Sequence, residues 1–197
     1  KDLAKATPAQ VITAWGRLGY PRRALRLLAA AQIIAEDFGN KVPEDQETLQ
    51  LLPGIGEYTA AAIAAFAFEQ RSLVMDVNIR RLLVRAIDGE EHPKPAPTAQ
   101  EKARRLAILP TKNAHVWAAA TMELGALVCT SKNPSCELCP IISQCQWRKN
   151  GYPKTDLVRK SQDWHGTDRK CRGTIVQALR ENESLTESAI KKLWPDE

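Results

Sequence analysis

The sequence predicts an all-α fold, and the pattern of its residues supports this. Helical signals follow one another along the 197 residues, and no segment alternates apolar and polar residues as a half-buried strand would. The apolar content of 44% is enough for one sizeable core or two small domains. The longest apolar run, 60–68, is far too short to cross a bilayer, so we expect a soluble cytoplasmic protein.

Capping residues and apolar stripes locate the predicted helices. Thr7 and Gln10 have the spacing of a capping box, in which each side chain binds the backbone of the other residue. Val11, Trp15 and Leu18 then form one apolar stripe at helical spacing. The predicted helices are, in chain order, 8–18, 21–38, 43–52, 57–68, 78–87, 98–109, 113–127, 173–180 and 186–193.

Residues 146–172 are predicted to be irregular and carry the excess positive charge of the chain. They hold eight basic and three acidic side chains, and the difference of +5 equals the net charge of all 197 residues. A cluster of basic side chains is typical of a surface that binds a polyanion such as nucleic acid. A solvated linker explains the same composition, and charge alone does not separate the two interpretations.

Four of the five cysteines lie within the segment 129–145. Their spacing is Cys129-x6-Cys136-x2-Cys139-x5-Cys145, and clustered thiols in a reducing compartment indicate a metal rather than disulfides. Thiolates select zinc or an iron–sulfur cluster. Structural zinc sites tend to use two tight pairs, whereas one tight pair with two long arms suits the larger iron–sulfur cubane. Cys171 lies well outside the group and is predicted to be a bystander.

The string LLPGIGEYTA, residues 51–60, predicts two helices joined by a tight hairpin. Pro53, Gly54, Ile55 and Gly56 form the turn, and we expect its two glycines to adopt backbone angles that a side chain would forbid. Their N–H groups and the start of the next helix could then bind a phosphate, which holds a nucleic-acid backbone without reading its bases. By composition alone, a glycine-rich turn between two core helices is the simpler interpretation.

The hairpin and the cysteine spacing, in this order, resemble the endonuclease III and adenine DNA glycosylase superfamily. The resemblance covers residue 1 to about 150 and implies a helix–hairpin–helix DNA glycosylase fold. Its parts would be a helical barrel lobe at 1–70, a lobe at 71–150 with a [4Fe-4S] cluster on the four cysteines, and a basic linker with a short helical extension at 151–197. The resemblance also implies that the hairpin binds DNA and that the cluster loop presents Lys132 to it.

Asp76 precedes the predicted helix 78–87, and by resemblance it is the catalytic carboxylate of the superfamily. Asn78 would be its supporting polar neighbour. An ionised carboxylate can stabilise the positive charge that builds on a sugar when a glycosidic bond breaks, and a helix start helps to keep it ionised. From the residue alone, an N-cap is the favoured interpretation, because Asp commonly binds a backbone N–H there.

Tyr58 indicates a branch of the superfamily. Members that also nick the strand carry a Lys just after the hairpin, and its amine forms a Schiff base with the sugar. Tyr58 stands at that position, and a phenol cannot form this adduct. Gly-x-Tyr-Thr-Ala at 56–60 is similar to the adenine-excising branch, which implies that Tyr58 donates or accepts a hydrogen bond beside the carboxylate. An ordinary helix residue would bury its ring and expose its hydroxyl group.

The string WGRLGY, residues 15–20, resembles the W-x-G-L-G-Y string of the adenine DNA glycosylases, with Gly16 and Arg17 transposed. In that family the Tyr wedges into the duplex, which offsets the cost of extruding a base. Tyr20 is the matching residue and is therefore a candidate DNA contact. The family usually has a second aromatic residue next, whereas this chain has Pro21, so the insertion geometry is expected to differ slightly.

The resemblance as a whole implies membership of the MutY-type adenine DNA glycosylases. Such an enzyme would hydrolyse the N-glycosidic bond of adenine mispaired with 8-oxoguanine or guanine in double-stranded DNA, as a nucleoid-associated monomer without strand nicking. The family's general acid, a Glu, is expected in a segment preceding Lys1. Two rival interpretations remain: an endonuclease III-like glycosylase and lyase for damaged pyrimidines, and a non-catalytic iron–sulfur protein that binds DNA.

Overall fold

A computed structural model describes residues 1–155, 166–182 and 184–194, and every regular element in these ranges is helical. The predicted all-α fold is therefore confirmed. The described residues divide into two compact units, one of 1–42 with 166–182 and 184–194, the other of 43–155. The lobes expected at 1–70 and 71–150 stay a prediction, since this division falls at residue 42. Within the described ranges, no helix has the length and apolar character needed to cross a bilayer.

The first unit combines the first three helices of the chain with the last two. Their bounds are Asp2–Lys5 for α1, Pro8–Trp15 for α2, Arg22–Asp37 for α3, Asp168–Glu181 for α10 and Glu187–Leu193 for α11. The predicted capping box opens α2, with the Gln10 N–H donating to Thr7 Oγ1 at 3.3 Å and the Thr7 N–H to Gln10 Oε1 at 2.8 Å. Val11 packs with Leu28 in a buried cluster. Leu18, predicted to continue that stripe, lies beyond the helix end and is 71% exposed.

The second unit contains both the hairpin and the cysteine loop. Its α-helices are Gln46–Leu51 for α4, Glu57–Phe68 for α5, Val77–Leu83 for α6, Ala99–Ile108 for α7, Ala114–Leu127 for α8 and Gln146–Lys149 for α9. Four alanines of α5 are buried, and their small side chains let neighbouring helices approach closely. The core lies where α5, α6 and α8 meet, and its buried members are Ala65, Val74, Ile79, Leu83 and Ala118.

The predicted helix 78–87 differs from the structure in its second half. The α-helical part ends at Leu83, and Val84–Asp88 forms one π-helical turn. Gly89, with φ +76°, closes this wider turn by donating its N–H to the Val84 carbonyl. A π-helical turn adds one residue per turn, which the spacing of apolar residues did not reveal.

The segment 146–172, predicted to be irregular, contains helical residues at both ends, so that prediction was wrong there. It begins with α9 and ends inside α10. Thr167 caps α10, because its hydroxyl oxygen accepts the Lys170 N–H at 3.4 Å. The charged residues that follow Thr167 show no apolar stripe, so the sequence did not indicate a helix start there. Residues 156–165 lie outside the described residues.

Helices α6 and α8 pass very close to each other at Gly125. A Cβ atom built on Gly125 would lie 2.6 Å from the carbonyl oxygen of Asn78 and 2.8 Å from its carbonyl carbon. Both neighbours are backbone atoms, which cannot turn aside as the end of a flexible side chain can. Glycine at this position therefore sets how closely α8 approaches the beginning of α6.

We expect Gly125→Ala to lower the free energy of unfolding by about 1–3 kcal/mol, because the added methyl group must push the two helices apart. Glycine-to-alanine changes inside an exposed helix normally raise the free energy of unfolding, by about 0.5–1 kcal/mol. Gly173→Ala, at an exposed position of α10, is the matched control. Urea unfolding followed by circular dichroism measures both variants. Stabilisation by both would contradict a tight crossing.

Candidate active site

The hairpin consists of α4, the turn 53–56 and α5. Gly54 has φ +82°, in the left-handed region that disfavours a side chain, so its conformation fits the expectation. The conformation of Gly56 does not fit the expectation. Its φ is −95° and its ψ is 179°, which is extended backbone that any residue adopts. A Cβ atom built on Gly56 would meet nothing within 4 Å. The second glycine therefore leaves the backbone of the turn uncovered and does not supply an unusual angle.

The start of α5 offers backbone N–H groups to an anion. The first N–H groups of a helix have no partner within that helix, and the N-cap Gly56 has no side chain to bind them. Glu57, the first residue of α5, would repel an anion there. However, Lys102 Nζ lies 2.6 Å from both carboxylate oxygens of Glu57 and offsets its charge. The hairpin consequently keeps the local electrostatics that a phosphate group requires.

Asp76 is the N-cap of α6, and two donors hold its carboxylate. Its Oδ1 accepts the Ile79 N–H at 2.6 Å, and its Oδ2 accepts Asn78 Nδ2 at 3.1 Å. The N-cap interpretation is confirmed, and it is compatible with a catalytic role because each oxygen keeps another lone pair. The residue is half-buried, so its orientation is fixed while part of the side chain reaches solvent.

Tyr58 projects from α5, close enough for the charge of Asp76 to affect its ionisation. Burial is the main cause that raises the pKa of the Tyr58 phenol, and the negative charge of Asp76 raises that pKa further. The phenol is therefore protonated at neutral pH and available as a hydrogen-bond donor. In the part of the chain that the structure describes, no hydrogen bond joins Tyr58 to Asp76. Its hydrogen-bonding role stays a prediction.

Arg81 connects the surroundings of Asp76 to the cysteine loop. Its Nη2 donates to Asn78 Oδ1 at 2.9 Å and also to the Gly125 carbonyl. Its Nε donates to the Cys129 carbonyl at 2.7 Å. A continuous chain of hydrogen bonds thus runs from the carboxylate through Asn78 and Arg81 to the first cysteine. Arg81 is only 7% exposed and Gly125 is buried, so the Gly125 carbonyl depends on the guanidinium group, whereas Asn78 and Cys129 are half-buried.

The four cysteines of the loop line a single pocket, as the spacing predicted, and their thiols are free and half-buried. Burial is the main cause that raises the pKa values of Cys136 and Cys139, and the charges of neighbouring cysteines raise them further. Within the described ranges, no three or more His, Cys, Asp and Glu side chains are arranged to hold a single metal ion. The rest of the pocket wall is mostly apolar and comprises Leu82, Arg85, Ala86, Val128, Pro134, Ile141, Ile142 and Trp147.

Arg85 holds the cysteine loop against the π-helical turn. Its Nη1 donates to the Cys129 sulfur at 3.5 Å and to the Thr130 carbonyl at 2.7 Å. Its guanidinium group also lies over the Trp147 ring, 4.6 Å from the ring centroid. Arg85 is 1% exposed, so it places a buried positive charge beside the sulfur atoms. This charge would stabilise a negatively charged group in the pocket.

Lys132 lies exposed on the cysteine loop. The Thr130 hydroxyl group donates to the Lys132 carbonyl at 2.8 Å, and Asn133 follows in the left-handed region with φ 49°. The backbone around Lys132 is therefore a defined turn, which leaves the amine in solvent. Its expected contact with DNA stays a prediction.

The predicted site residues are distributed over both compact units. Asn78 binds Asp76, and Arg81 joins Asn78 to the cysteine loop within the unit 43–155. Tyr58, in the same unit, is near enough for the charge of Asp76 to raise its pKa. Tyr20 belongs to the other unit, where its ring is 61% exposed. Sequence reasoning missed four residues that shape the site, namely Arg81, Arg85, Lys102 and Gly125.

The chain is similar to known proteins in its hairpin, its sequence and its fold. The helix-hairpin-helix motif family matches residues 37–66. The adenine DNA glycosylase of Mycolicibacterium smegmatis is 43% identical over 192 residues, which are 97% of this chain and 65% of that protein. A thermostable thymine-DNA glycosylase has a similar structure, with a TM-score of 0.68 and 23% identity, over 76% of this chain and 69% of that one. The structure of a non-covalent endonuclease III–DNA complex has a TM-score of 0.64 and 20% identity, over 77% of this chain and 71% of that one.

The hairpin and the all-helical fold are similar to those of one class of proteins, the helix–hairpin–helix DNA glycosylases. Within that class the chain is a homologue of the adenine DNA glycosylases. It spans 65% of the length of the mycobacterial relative described above. The two solved structures, at 23% and 20% identity, show the fold alone.

We expect Arg81→Met to lower the free energy of unfolding by about 2–4 kcal/mol, because the carbonyl groups of Gly125 and Cys129 lose a buried donor. Methionine fills a similar volume, so loss of packing contributes little. Arg104→Met on α7 is the control, since the Arg104 side chain is 55% exposed. Denaturant unfolding of both variants tests the idea. A similar small change in both would contradict a bridging role for Arg81.

Proposed function

We propose that the protein is an adenine DNA glycosylase of base excision repair. It hydrolyses the N-glycosidic bond of adenine mispaired with 8-oxoguanine or guanine in double-stranded DNA. The observation that carries this proposal is the carboxylate of Asp76, held by two donors in the same compact unit as an uncapped hairpin helix. The 43% identity to the M. smegmatis adenine DNA glycosylase supports the choice of adenine.

The hairpin would bind the DNA backbone. The turn is exposed at Gly54 and uncovered at Gly56, and together with the first N–H groups of α5 it suits a phosphate. Lys102 offsets the charge of Glu57 beside it. Lys132 on the cysteine loop adds an exposed cation to the same unit. Contacts of this kind fix the position of the protein on DNA and read no bases. Adenine would be recognised only after it leaves the stack.

Asp76 would act on the sugar of the extruded nucleotide. As the bond between adenine and C1′ breaks, its electron pair leaves with the base and positive charge develops on the sugar ring. The carboxylate, oriented by the Ile79 N–H and by Asn78, stabilises that charge. A water molecule then adds its oxygen to C1′ and loses a proton, while the departing adenine takes up a proton. The OH and H of one water molecule thus end on the sugar and on the base, which completes the hydrolysis.

Tyr58 would support this step as a neutral phenol. Burial and the charge of Asp76 raise the pKa of Tyr58, so its hydroxyl group keeps its proton and can donate it in a hydrogen bond. Because a phenol forms no Schiff base, Tyr58 also favours base removal without strand nicking. This argues against the rival endonuclease III-like glycosylase and lyase.

The cysteine loop would hold a [4Fe-4S] cluster on Cys129, Cys136, Cys139 and Cys145. The residues present fit such a group, because four crowded thiols in a largely apolar pocket need cationic metal centres to be stable as thiolates. The buried Arg85 guanidinium beside the Cys129 sulfur offsets the remaining negative charge. When bound, the cluster would serve as a structural anchor for the loop that presents Lys132.

We expect Asp76→Asn in the full-length protein to slow adenine release by about 100- to 1,000-fold in single-turnover assays, because asparagine keeps the cap but loses the charge. Asp45→Asn is the matched control, since Asp45 caps α4 by accepting the Thr48 N–H at 2.8 Å. The substrates are duplexes with adenine opposite 8-oxoguanine or opposite guanine.

Equal effects of Asp45→Asn and Asp76→Asn would reduce Asp76 to a helix cap and remove the catalytic proposal.

A second experiment tests for strand nicking, in which the unmodified protein is incubated with borohydride and abasic DNA. Tyr58 predicts no covalent adduct, whereas a trapped adduct would favour the lyase rival. Release of damaged pyrimidines in preference to adenine would contradict the proposed substrate.

For the cofactor, we expect the purified protein to be coloured, with broad visible absorption and about four iron and four sulfide ions per chain. Cys139→Ser should remove most of the absorption because it deletes one of the four ligands. Cys171→Ser is the control, as Cys171 lies outside the pocket wall. A colourless protein that contains zinc would contradict the proposed cluster.

A further inference from the structure

Tyr20 is displayed by a tight turn of the first unit. The Trp15 indole N–H donates to the Gly19 carbonyl at 2.8 Å, and the Arg23 N–H donates to the Tyr20 carbonyl at 2.8 Å, so the backbone on both sides is fixed. Tyr20 itself has φ +47°, an uncommon conformation for a bulky residue, and its side chain is 61% exposed. Backbone strain combined with an exposed ring indicates a functional position.

Arg169, 149 positions further along the chain, holds the Tyr20 side chain at two points. Its Nη2 donates to the Tyr20 hydroxyl oxygen at 2.9 Å. Its guanidinium carbon also lies 4.8 Å from the centroid of the Tyr20 ring, in cation–π contact. The ring and the hydroxyl group are therefore oriented by one side chain, although the Tyr20 ring remains largely in solvent.

The place of Arg169 in α10 is not explained by the stability of that helix. Arg169 is the second residue of α10, and a cation near a helix start opposes the helix dipole. The helix start is already stabilised by the Thr167 cap and by Asp168 in the first turn. Something other than helix stability therefore accounts for the arginine, and its two contacts with Tyr20 supply a reason.

We propose that Arg169 is the positioning residue for insertion of Tyr20 into DNA, and that the start of α10 belongs to the DNA-binding surface. This rests on the proposed function and on the expectation, from the family resemblance, that Tyr20 enters the duplex. An aromatic side chain that is already ordered loses less conformational freedom when it inserts. The guanidinium group beside the ring also brings positive charge to the phosphates that flank the insertion point. The basic residues after 166 thus contribute to DNA binding and are not a solvated linker.

The test is a double-mutant cycle in the full-length protein with Tyr20→Ala and Arg169→Gln. The DNA carries 2-aminopurine next to the target adenine, so that its fluorescence rises when the stack opens. We expect each single variant to reduce the fluorescence rise and the single-turnover rate of adenine release by about tenfold, since a charged hydrogen bond and a cation–π contact are lost. The double variant should be no worse than Tyr20→Ala alone.

Two further variants separate positioning from charge. Arg169→Lys keeps the charge and one donor but loses the planar group, and it should restore affinity for DNA more fully than the fluorescence rise. Arg172→Gln removes the same charge from the same helix, where Arg172 donates to the Asp168 carbonyl. It should lower the affinity for DNA and the salt dependence of binding without reducing the fluorescence rise, and it should show no coupling to Tyr20→Ala.

Additive effects of Arg169→Gln and Tyr20→Ala would overturn the proposal, as would equal behaviour of Arg169→Gln and Arg172→Gln. Thermal unfolding of each variant shows whether a loss comes from misfolding, and Tyr20→Phe then repeats the cycle with only the hydroxyl group removed. If the unmodified protein releases no adenine, the proposed function fails, and the fluorescence cycle still decides whether Arg169 positions Tyr20.

Discussion

The guanidinium group of Arg81 is the interaction on which the unit 43–155 depends. It binds Asn78, which in turn binds Asp76, and it binds the carbonyl group of Cys129 at the beginning of the cysteine loop. A planar group with five donors can reach acceptors on two segments at once, and lysine could not. Arg81 also binds the buried Gly125 carbonyl, where water is excluded as a substitute, and its hydrogen bonds together hold the two segments in one relative arrangement.

This arrangement lets one helix serve two parts of the candidate site. The first residues of α6 orient a carboxylate, while Arg81 and, one turn later, Arg85 hold the loop that carries the four thiols. The close passage of α8 at Gly125 brings the second segment within reach of these arginines. Stability and function are therefore coupled in α6, since a change that loosens its packing also alters the orientation of the Asp76 carboxylate.

Much of the fold could be predicted from the sequence because it rests on local signals, whereas the roles of Asp76 and Tyr58 were implied by the family resemblance. A capping box and a Pro-Gly-Ile-Gly turn are each contained within four residues, and the four cysteines lie within the 17 residues 129–145. Arg81 and Arg169 were missed because their partners, Cys129 and Tyr20, are distant in the chain, and the sequence does not show that they are near in space. The φ angle at Gly56 was predicted wrongly because glycine occurs both where φ must be positive and where the backbone must stay uncovered. The sequence does not distinguish these two reasons.

The most direct test of the role of Arg81 is amide hydrogen exchange at Ile79 in the Arg81→Met variant. The Ile79 N–H donates to Asp76, so its protection reports how firmly the carboxylate is held. The Thr48 N–H, which donates to Asp45 in the same unit, is the internal reference. We expect exchange at Ile79 to accelerate by at least about tenfold more than exchange at Thr48. Equal acceleration at both amides would mean that Arg81 contributes only to global stability, which would contradict its role in holding the Asp76 carboxylate in place.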